Sequence, residues 1–203
     1  MLAIVRVKME GGSNLLWDYI LENQNILEKQ LNDCVQIMYI TKRSRYKDTN
    51  IFLHAQNPDC FGDFIAKVIA PIKGVNGLWL FNLYNMRFFR CKEDLFEERK
   101  RYIVTISAYP AKFEKIYDRL TKIKPTSKIN PVYVAYTFHL FGDSILFSFL
   151  AEDEVTAQNL VAKKIRNIPG VLNTNISSLI KQQRIVSPQE WKLYVLSNLL
   201  RQD

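Results

Sequence analysis

Cysteine and histidine are scarce in this 203-residue chain, with three and two copies. Cys34, Cys60 and Cys91 are too widely spaced for a CxxC pair and too few for a disulfide framework. They read as buried or half-buried thiols of a reducing compartment. With only His54 and His139 to join them, a zinc site is not expected. Nor does the chain carry a phosphate-binding GxxxxGK[ST] loop, a GxSxG elbow, an HExxH helix or a paired-carboxylate motif, so no cofactor is expected either. No apolar run approaches the ~18 residues that span a bilayer. The opening Met1-Leu2-Ala3-Ile4-Val5-Arg6-Val7-Lys8 alternates and soon turns charged, which fits a strand and not a signal peptide. Low-complexity sequence is absent. These absences leave a cytoplasmic globular protein with no membrane partner.

What is present is ordinary in amount and uneven in placement. Apolar residues make up 48% and charged residues 24%, enough for one large domain or two small ones. The net charge of +8 divides into +2 over residues 1–95 and +6 over 96–203. Such an excess attracts nucleic acid weakly through its phosphates, and is equally common in proteins that bind none.

The chain also repeats itself. Asp48-Thr49-Asn50-Ile51-Phe52-Leu53 is followed by a helix-period stretch and Ile72-Lys73-Gly74-Val75. Asp143-Ser144-Ile145-Leu146-Phe147-Ser148 is followed by another such stretch and Ile168-Pro169-Gly170-Val171. The aspartates lie 95 residues apart and the valines 96, the size of a whole small domain and too long for a solenoid unit.

Each copy reads β-α-β-β-α-β. In the first, Ala3, Val5, Val7 and Met9 share one strand face, and Ser13 or Asn14 caps a helix running to about Leu31. Strands follow at Val35–Tyr39 and Ile51–Ala55, joined by a basic hairpin through Lys42-Arg43-Ser44-Arg45-Tyr46-Lys47. That cluster can contact an anion, but a solvated hairpin tip explains it as well. Phe61, Phe64, Ile65, Val68, Ile69 and Ile72 form one helical stripe; Gly74 stops it before a strand through Trp79, Phe81 and Leu83. In the second copy, Tyr102, Val104, Ile106 and Ala108 alternate, Pro110 opens a helix bearing Phe113, Ile116, Tyr117, Leu120 and Ile123, and Val132 to Leu140 alternate again. Glu152-Asp153-Glu154 place acids at a helix N-terminus, and Pro169-Gly170 end that helix before a last strand through Leu172, Thr174 and Ile176. The predicted division is 1–91, a charged connector at 92–101, 102–182, and an amphipathic C-terminal helix at 187–201 that opens on the capping box Ser187-Pro188-Gln189-Glu190.

This order is the ferredoxin-like unit, and the predicted fold class is α+β: two tandem ferredoxin-like units paired as in a dimeric α/β barrel, plus the C-terminal helix. Leu140-Phe141-Gly142-Asp143-Ser144-Ile145-Leu146 and Ile168-Pro169-Gly170-Val171-Leu172-Asn173-Thr174 together resemble the effector-binding (RAM, ACT-like) domain of Lrp/AsnC regulators. The likeness spans roughly 100–182 in the second copy and is loose in the first. Three departures stand out. Asp143 follows Gly142 at once, where the family usually places an aromatic residue between; Ile176 stands where a second threonine is usual; and a winged helix-turn-helix ahead of the domain is missing.

The resemblance implies a non-enzymatic module that binds a small effector, such as an amino acid, and self-associates through its sheets. Its ligand-binding residues would be Phe141, Gly142, Asp143, Ser144 and Thr174, and DNA would be bound only weakly or through a missing domain. The alternative is a dimeric α/β-barrel enzyme acting on a haem-like or quinone-like substrate, with His54 or His139 as acid/base. The two histidines occupy non-equivalent repeat positions, which favours structural or solvent-facing roles for both.

Overall fold

The computed structural model describes residues 1–10, 13–30, 34–43, 48–89, 91, 95–138 and 143–184. The first repeat contains β1 (Leu2–Met9), α1 (Ser13–Gln30), β2 (Val35–Arg43), β3 (Asp48–Ala55), α2 (Pro58–Asp63) and β4 (Val75–Phe88). After a single turn of helix, α3 (Leu95–Glu98), come β5 (Lys100–Ala108), α4 (Phe113–Thr121), β6 (Ile129–Thr137), β7 (Asp143–Ala151), α5 (Glu154–Leu160) and β8 (Val171–Arg184). The fold is α+β with antiparallel strand pairing. Two compact units result, Met1–Leu80 with the residues from Lys181 on, and Phe81–Ile180. The predicted helix at 187–201 lies outside the described residues. Among the described residues, no helix is long and apolar enough to cross a membrane.

In the first unit the strands lie in the order β4, β1, β3, β2. The alternation of β1 sends Ala3, Val5, Val7 and Met9 to one side, where they meet Ile37, Ile51 and Leu53. Leu16, Trp17 and Ile20 of α1 and Phe61 and Phe64 of the second helix close this core. Asn57 caps α2 by accepting the Cys60 N–H at 2.8 Å, and Pro58 in the first turn gives up an N–H that the helix cannot use. Past Asp63 the helix widens into a π-helical turn, Phe64–Ile69, which keeps Phe64, Val68 and Ile69 buried.

The second unit orders β8, β5, β7, β6 and then the later part of β4. Tyr102, Val104, Ile106 and Ala108 pack with Ile145, Phe147 and Phe149 beneath Ile116 and Leu120 of α4 and Leu160 of α5. Asp153 caps α5 by accepting the Thr156 N–H at 2.6 Å, and this helix too widens into a π-helical turn, Val161–Ile165. In β4 the register shifts between Tyr84 and Arg87, and Asn85 there takes φ +47; the Tyr117 hydroxyl donates to its carbonyl.

One expectation needs correction. Cys34 and Cys60, read as free thiols, are joined in a disulfide with Cα atoms 5.7 Å apart. The β2–β3 register places Val35 opposite Ala55, and the Gln56 N–H donates to the Cys34 carbonyl at 3.0 Å. Antiparallel pairing thus brings together cysteines that lie 26 residues apart in sequence. Cys91 is half-buried. A second observation concerns the middle strands. β3 is buried at every position from Asp48 to Ala55, and β7 from Ile145 to Ala151. Conversely Phe138, in phase with Val134, is 57% exposed, with its ring centroid 6.2 Å from that of Phe113 at the start of α4.

Both repeats end their second helix with a glycine that needs a left-handed backbone: Gly74 at φ +93 and Gly170 at φ +102. The Gly74 carbonyl accepts the Glu10 N–H at 2.7 Å, and the Gly170 carbonyl accepts the Tyr109 N–H at 3.0 Å. A Cβ on Gly170 would fall 2.5 Å from the Lys112 Cβ. Gly170→Ala should therefore cost at least about 2 kcal/mol of unfolding free energy. Gly62, helical and with nothing within 4 Å of an added Cβ, should instead gain up to about 1 kcal/mol as Gly62→Ala. Urea unfolding of both variants checks the pair of signs.

Candidate functional site

Burial of both faces of a strand forces any polar side chain on it to find partners within the protein. In the first unit the face of β1, β3 and β2 opposite the helices carries just such a row. The Arg6 Nε donates to Asn50 Oδ1 at 3.1 Å and lies 3.8 Å from the Asp48 carboxylate. Asn50 Nδ2 donates in turn to Thr41 Oγ1 at 3.3 Å. Register explains the row, since Arg6 opposes Asn50 on one side and Thr41 opposes it on the other. Asp48 is only 4% exposed, a burial that a carboxylate tolerates when it is paired. Tyr39 and Phe52 stack on the same face with ring centroids 4.6 Å apart.

At the far end of β3, His54 stands opposite Gln36 and Leu2. Burial pushes its pKa down from 6.5 to about 4, helped by the positive charge of the chain's amino group, 3.4 Å from Nε2. The imidazole is therefore neutral at pH 7. That ammonium also donates to the Ala55 carbonyl, and burial lowers its own pKa. The Gln36 Oε1 is buried with no hydrogen-bond partner among the described residues.

The second unit has a polar centre on its own helix-free face. Arg101, 7% exposed, donates from Nε to Ser148 Oγ at 3.0 Å, and the Ser148 hydroxyl donates to the Tyr102 carbonyl at 3.2 Å. Its guanidinium carbon sits 5.4 Å from the Tyr133 ring centroid and 5.9 Å from that of Phe96, a cation held between two ring faces. Beside it Arg99 is fixed by Asn130 and the Ser127 carbonyl, both at 2.6 Å. The Thr137 hydroxyl on the neighbouring strand is buried and has no hydrogen-bond partner among the described residues. On the helix side, burial raises the Tyr102 phenol pKa, reinforced by Glu154 and Asp153.

The residues predicted for effector binding are not brought together in this way. Phe141 and Gly142, and His139 beside them, lie outside the described residues. Asp143 and Ser144 begin β7, with Asp143 paired to Ser107. Thr174 pairs with Ile106, is buried, and accepts from Arg166 Nε at 2.7 Å, tying the end of the α5 helix to the sheet. Of the basic hairpin, the Lys42 ammonium donates to Asn14 Oδ1, and residues 44–47 lie outside the described residues. Among the described residues no cluster of His, Cys, Asp and Glu could hold a metal ion. The residues missed from sequence are the out-of-phase ones. Arg6 alternates against the core positions of β1, which gives it no sequence signal of its own, and Arg101 falls at the end of the charged connector at 92–101.

No protein-family profile matches the chain, and no curated protein does. Solved structures do. A monooxygenase-type protein from Lactobacillus acidophilus NCFM superposes with a TM-score of 0.56 at 9% identity, covering 90% of this chain and 95% of that one. Chlorite dismutase from Candidatus Nitrospira defluvii, in complex with imidazole, follows at 0.54 and 10%, covering 89% and 90%. An anthrone oxidase-like protein gives 0.53 and 8%, covering 90% and 92%. Identities this low establish fold alone. The fold is that of dimeric α/β-barrel proteins.

The likeness to Lrp/AsnC effector domains is thereby corrected, and with it the expectation of a transcriptional regulator that senses an effector. Its chief motif, Ile168-Pro169-Gly170-Val171, is a helix stop dictated by geometry: Val171 N–H bonds back to the Ile168 carbonyl at 3.1 Å while Gly170 turns left-handed. Any β-α-β-β-α-β chain that returns from helix to sheet here has a use for it.

The depressed His54 pKa fixes a pH dependence. Unfolded, the imidazole takes a proton near pH 6.5; folded, it resists until about pH 4. Between those values the unfolded chain binds more protons, so stability is full above pH 6.5 and falls as pH drops toward 4. Wild type should lose about 2 kcal/mol more than His54→Gln between pH 7 and pH 4.5, read from urea midpoints and slopes.

Proposed function

We propose that this chain is an oxidising enzyme of the dimeric α/β-barrel type, acting on a planar quinone-like or haem-like substrate. The observation that carries this reading is the buried polar row on the helix-free face of the first unit, ending at a neutral histidine. A sheet face built only for stability would be apolar, because burying Arg6, Asp48, Asn50 and His54 costs desolvation that aliphatic side chains avoid. The monooxygenase-type and anthrone oxidase-like neighbours support oxidation as the reaction class. Repeats 1–91 and 102–182 act in this reading as two ferredoxin-like units of a covalent pseudo-dimer. The strand orders β4, β1, β3, β2 and β8, β5, β7, β6 support it. Linkage keeps each unit at high effective concentration for the other.

The chemistry asked of these residues is modest. An anthrone-type substrate reacts with dioxygen to a quinone and water, losing two hydrogens and gaining one oxygen atom. The protein has to take a proton from the substrate carbon or hydroxyl and keep water away from the anion that results. His54, uncharged at pH 7 and shielded, is the proton acceptor. An acceptor of such low basicity in the empty protein gains basicity once an anionic substrate lies against it. Arg101 is a second polar centre, suited to a phenolate or quinone oxygen by its fixed, ring-flanked guanidinium. The working compartment is the cytoplasm, and duplex DNA is at most a weak, salt-sensitive partner of a chain with net charge +8.

Oxygen uptake and absorbance of the purified chain with anthrones, quinols and haem test this directly. With an accepted substrate, His54→Gln should lower kcat by roughly 100-fold, and Arg101→Met should chiefly raise KM. If no compound of these classes is turned over or raises the melting temperature, the enzyme reading fails.

A further inference from the structure

The Cys34–Cys60 bond lies outside everything proposed for the polar faces, and its setting is specific. Cys34 directly precedes β2 and is half-buried, whereas Cys60 sits in the first turn of α2 at 7% exposure. Cys34, partly buried against the same core, is therefore the more exposed end of the bond. The segment that the bond clamps, Ala55–Asn57, leads straight from the strand carrying His54 into the α2 cap. Hydrogen bonds hold the same junction independently: Gln56 N–H to the Cys34 carbonyl at 3.0 Å, Ala55 N–H to the Met1 carbonyl at 2.8 Å, and the Asn57 cap. Phe61 and Phe64 keep the helix seated in the core. The unit thus has the contacts to remain folded when the bond opens. A chain of this size with its own apolar cores also has no need of a lone structural crosslink, unlike small secreted scaffolds.

We propose that Cys34–Cys60 is a thiol-exchange site, opened and closed in the folded protein by low-molecular-weight thiols such as glutathione. The attacking thiolate bonds to the sulfur of Cys34, the less buried of the two residues, the Cys34–Cys60 bond breaks, and Cys60 leaves with the electron pair as a thiolate that then takes a proton. A second thiol attacks the mixed disulfide at the small-molecule sulfur. Two thiols are oxidised to one small disulfide while both cysteines return to the thiol form, so electrons and atoms balance. Opening removes the covalent clamp on the segment that follows His54, and the bond becomes a reversible modification next to the proposed proton acceptor.

The test uses the full chain purified without reductant. It is exposed to millimolar reduced glutathione under native conditions, quenched by alkylation, and mapped by mass spectrometry while circular dichroism follows the fold. The expected result is loss of the Cys34–Cys60 linkage with secondary structure retained, a fall in melting temperature of roughly 5–10 °C, and recovery of both on adding oxidised glutathione. The glutathione adduct should form on Cys34, and should accumulate there in Cys60→Ser. A bond that survives until the protein is denatured overturns the proposal. So does an adduct mainly on Cys60, or a chain whose two thiols alkylate freely as purified. The wild-type mapping stands even if the variant does not fold. None of these outcomes depends on catalytic turnover, so the proposal can fail while the enzyme reading survives, and the reverse.

Discussion

Strands β3 and β7 each run through the middle of their unit with both faces dry, and much else in the protein answers to that condition. On the helix side the solution is the ordinary one, aliphatic and aromatic side chains packed against helices. On the opposite side a polar atom must be matched by register, because a strand cannot turn a single side chain to water without shifting every other residue. Arg6, Asn50 and Thr41 are such a match, set three abreast across β1, β3 and β2. Ser148 is another, accepting a hydrogen bond from Arg101 and donating one to the Tyr102 carbonyl. Where the match is incomplete, as at Gln36 and Thr137, a buried acceptor or hydroxyl is left to be satisfied by something other than the described protein groups.

Local order was legible in the sequence because it follows from short-range physics. The stripe from Phe61 to Ile69, the alternation of Tyr102 to Ala108 and the acids at the start of α5 all stand where their spacing places them. The helix-free faces were not legible. Alternation of polar and apolar residues in Arg6 to Met9 describes a strand with one wet face equally well, and nothing local distinguishes water from a buried partner on the other strand. The disulfide escaped for a related reason: Cys34 and Cys60 meet only through a hairpin register, which no spacing rule encodes. Arg101 was obscured by its neighbours, since Glu97, Glu98, Arg99 and Lys100 make the whole stretch look solvated.

The corrected family likeness teaches something similar about motifs. A four-residue signature such as Ile-Pro-Gly-Val can be required by the chain's return from helix to sheet, and then it reports topology and says nothing of ligand. Gly74 does the same work in the first repeat with lysine in place of proline. Motifs of this kind identify how a backbone turns. Chemistry has to be sought in the side chains that the turn leaves buried and polar.

The π-helical turns have a consequence for the cores they serve. Phe64–Ile69 and Val161–Ile165 each follow directly on the first turns of a helix. A π turn holds one more residue than the α turn it replaces, and such turns in α-helices are uncommon. The extra residue resets the helical phase, so that the side chains beyond it still face inward: Phe64, Val68 and Ile69 stay buried in one unit, Val161 and Ile165 in the other. A helix of uniform pitch would have to choose between continuing its ladder and keeping that stripe on the core.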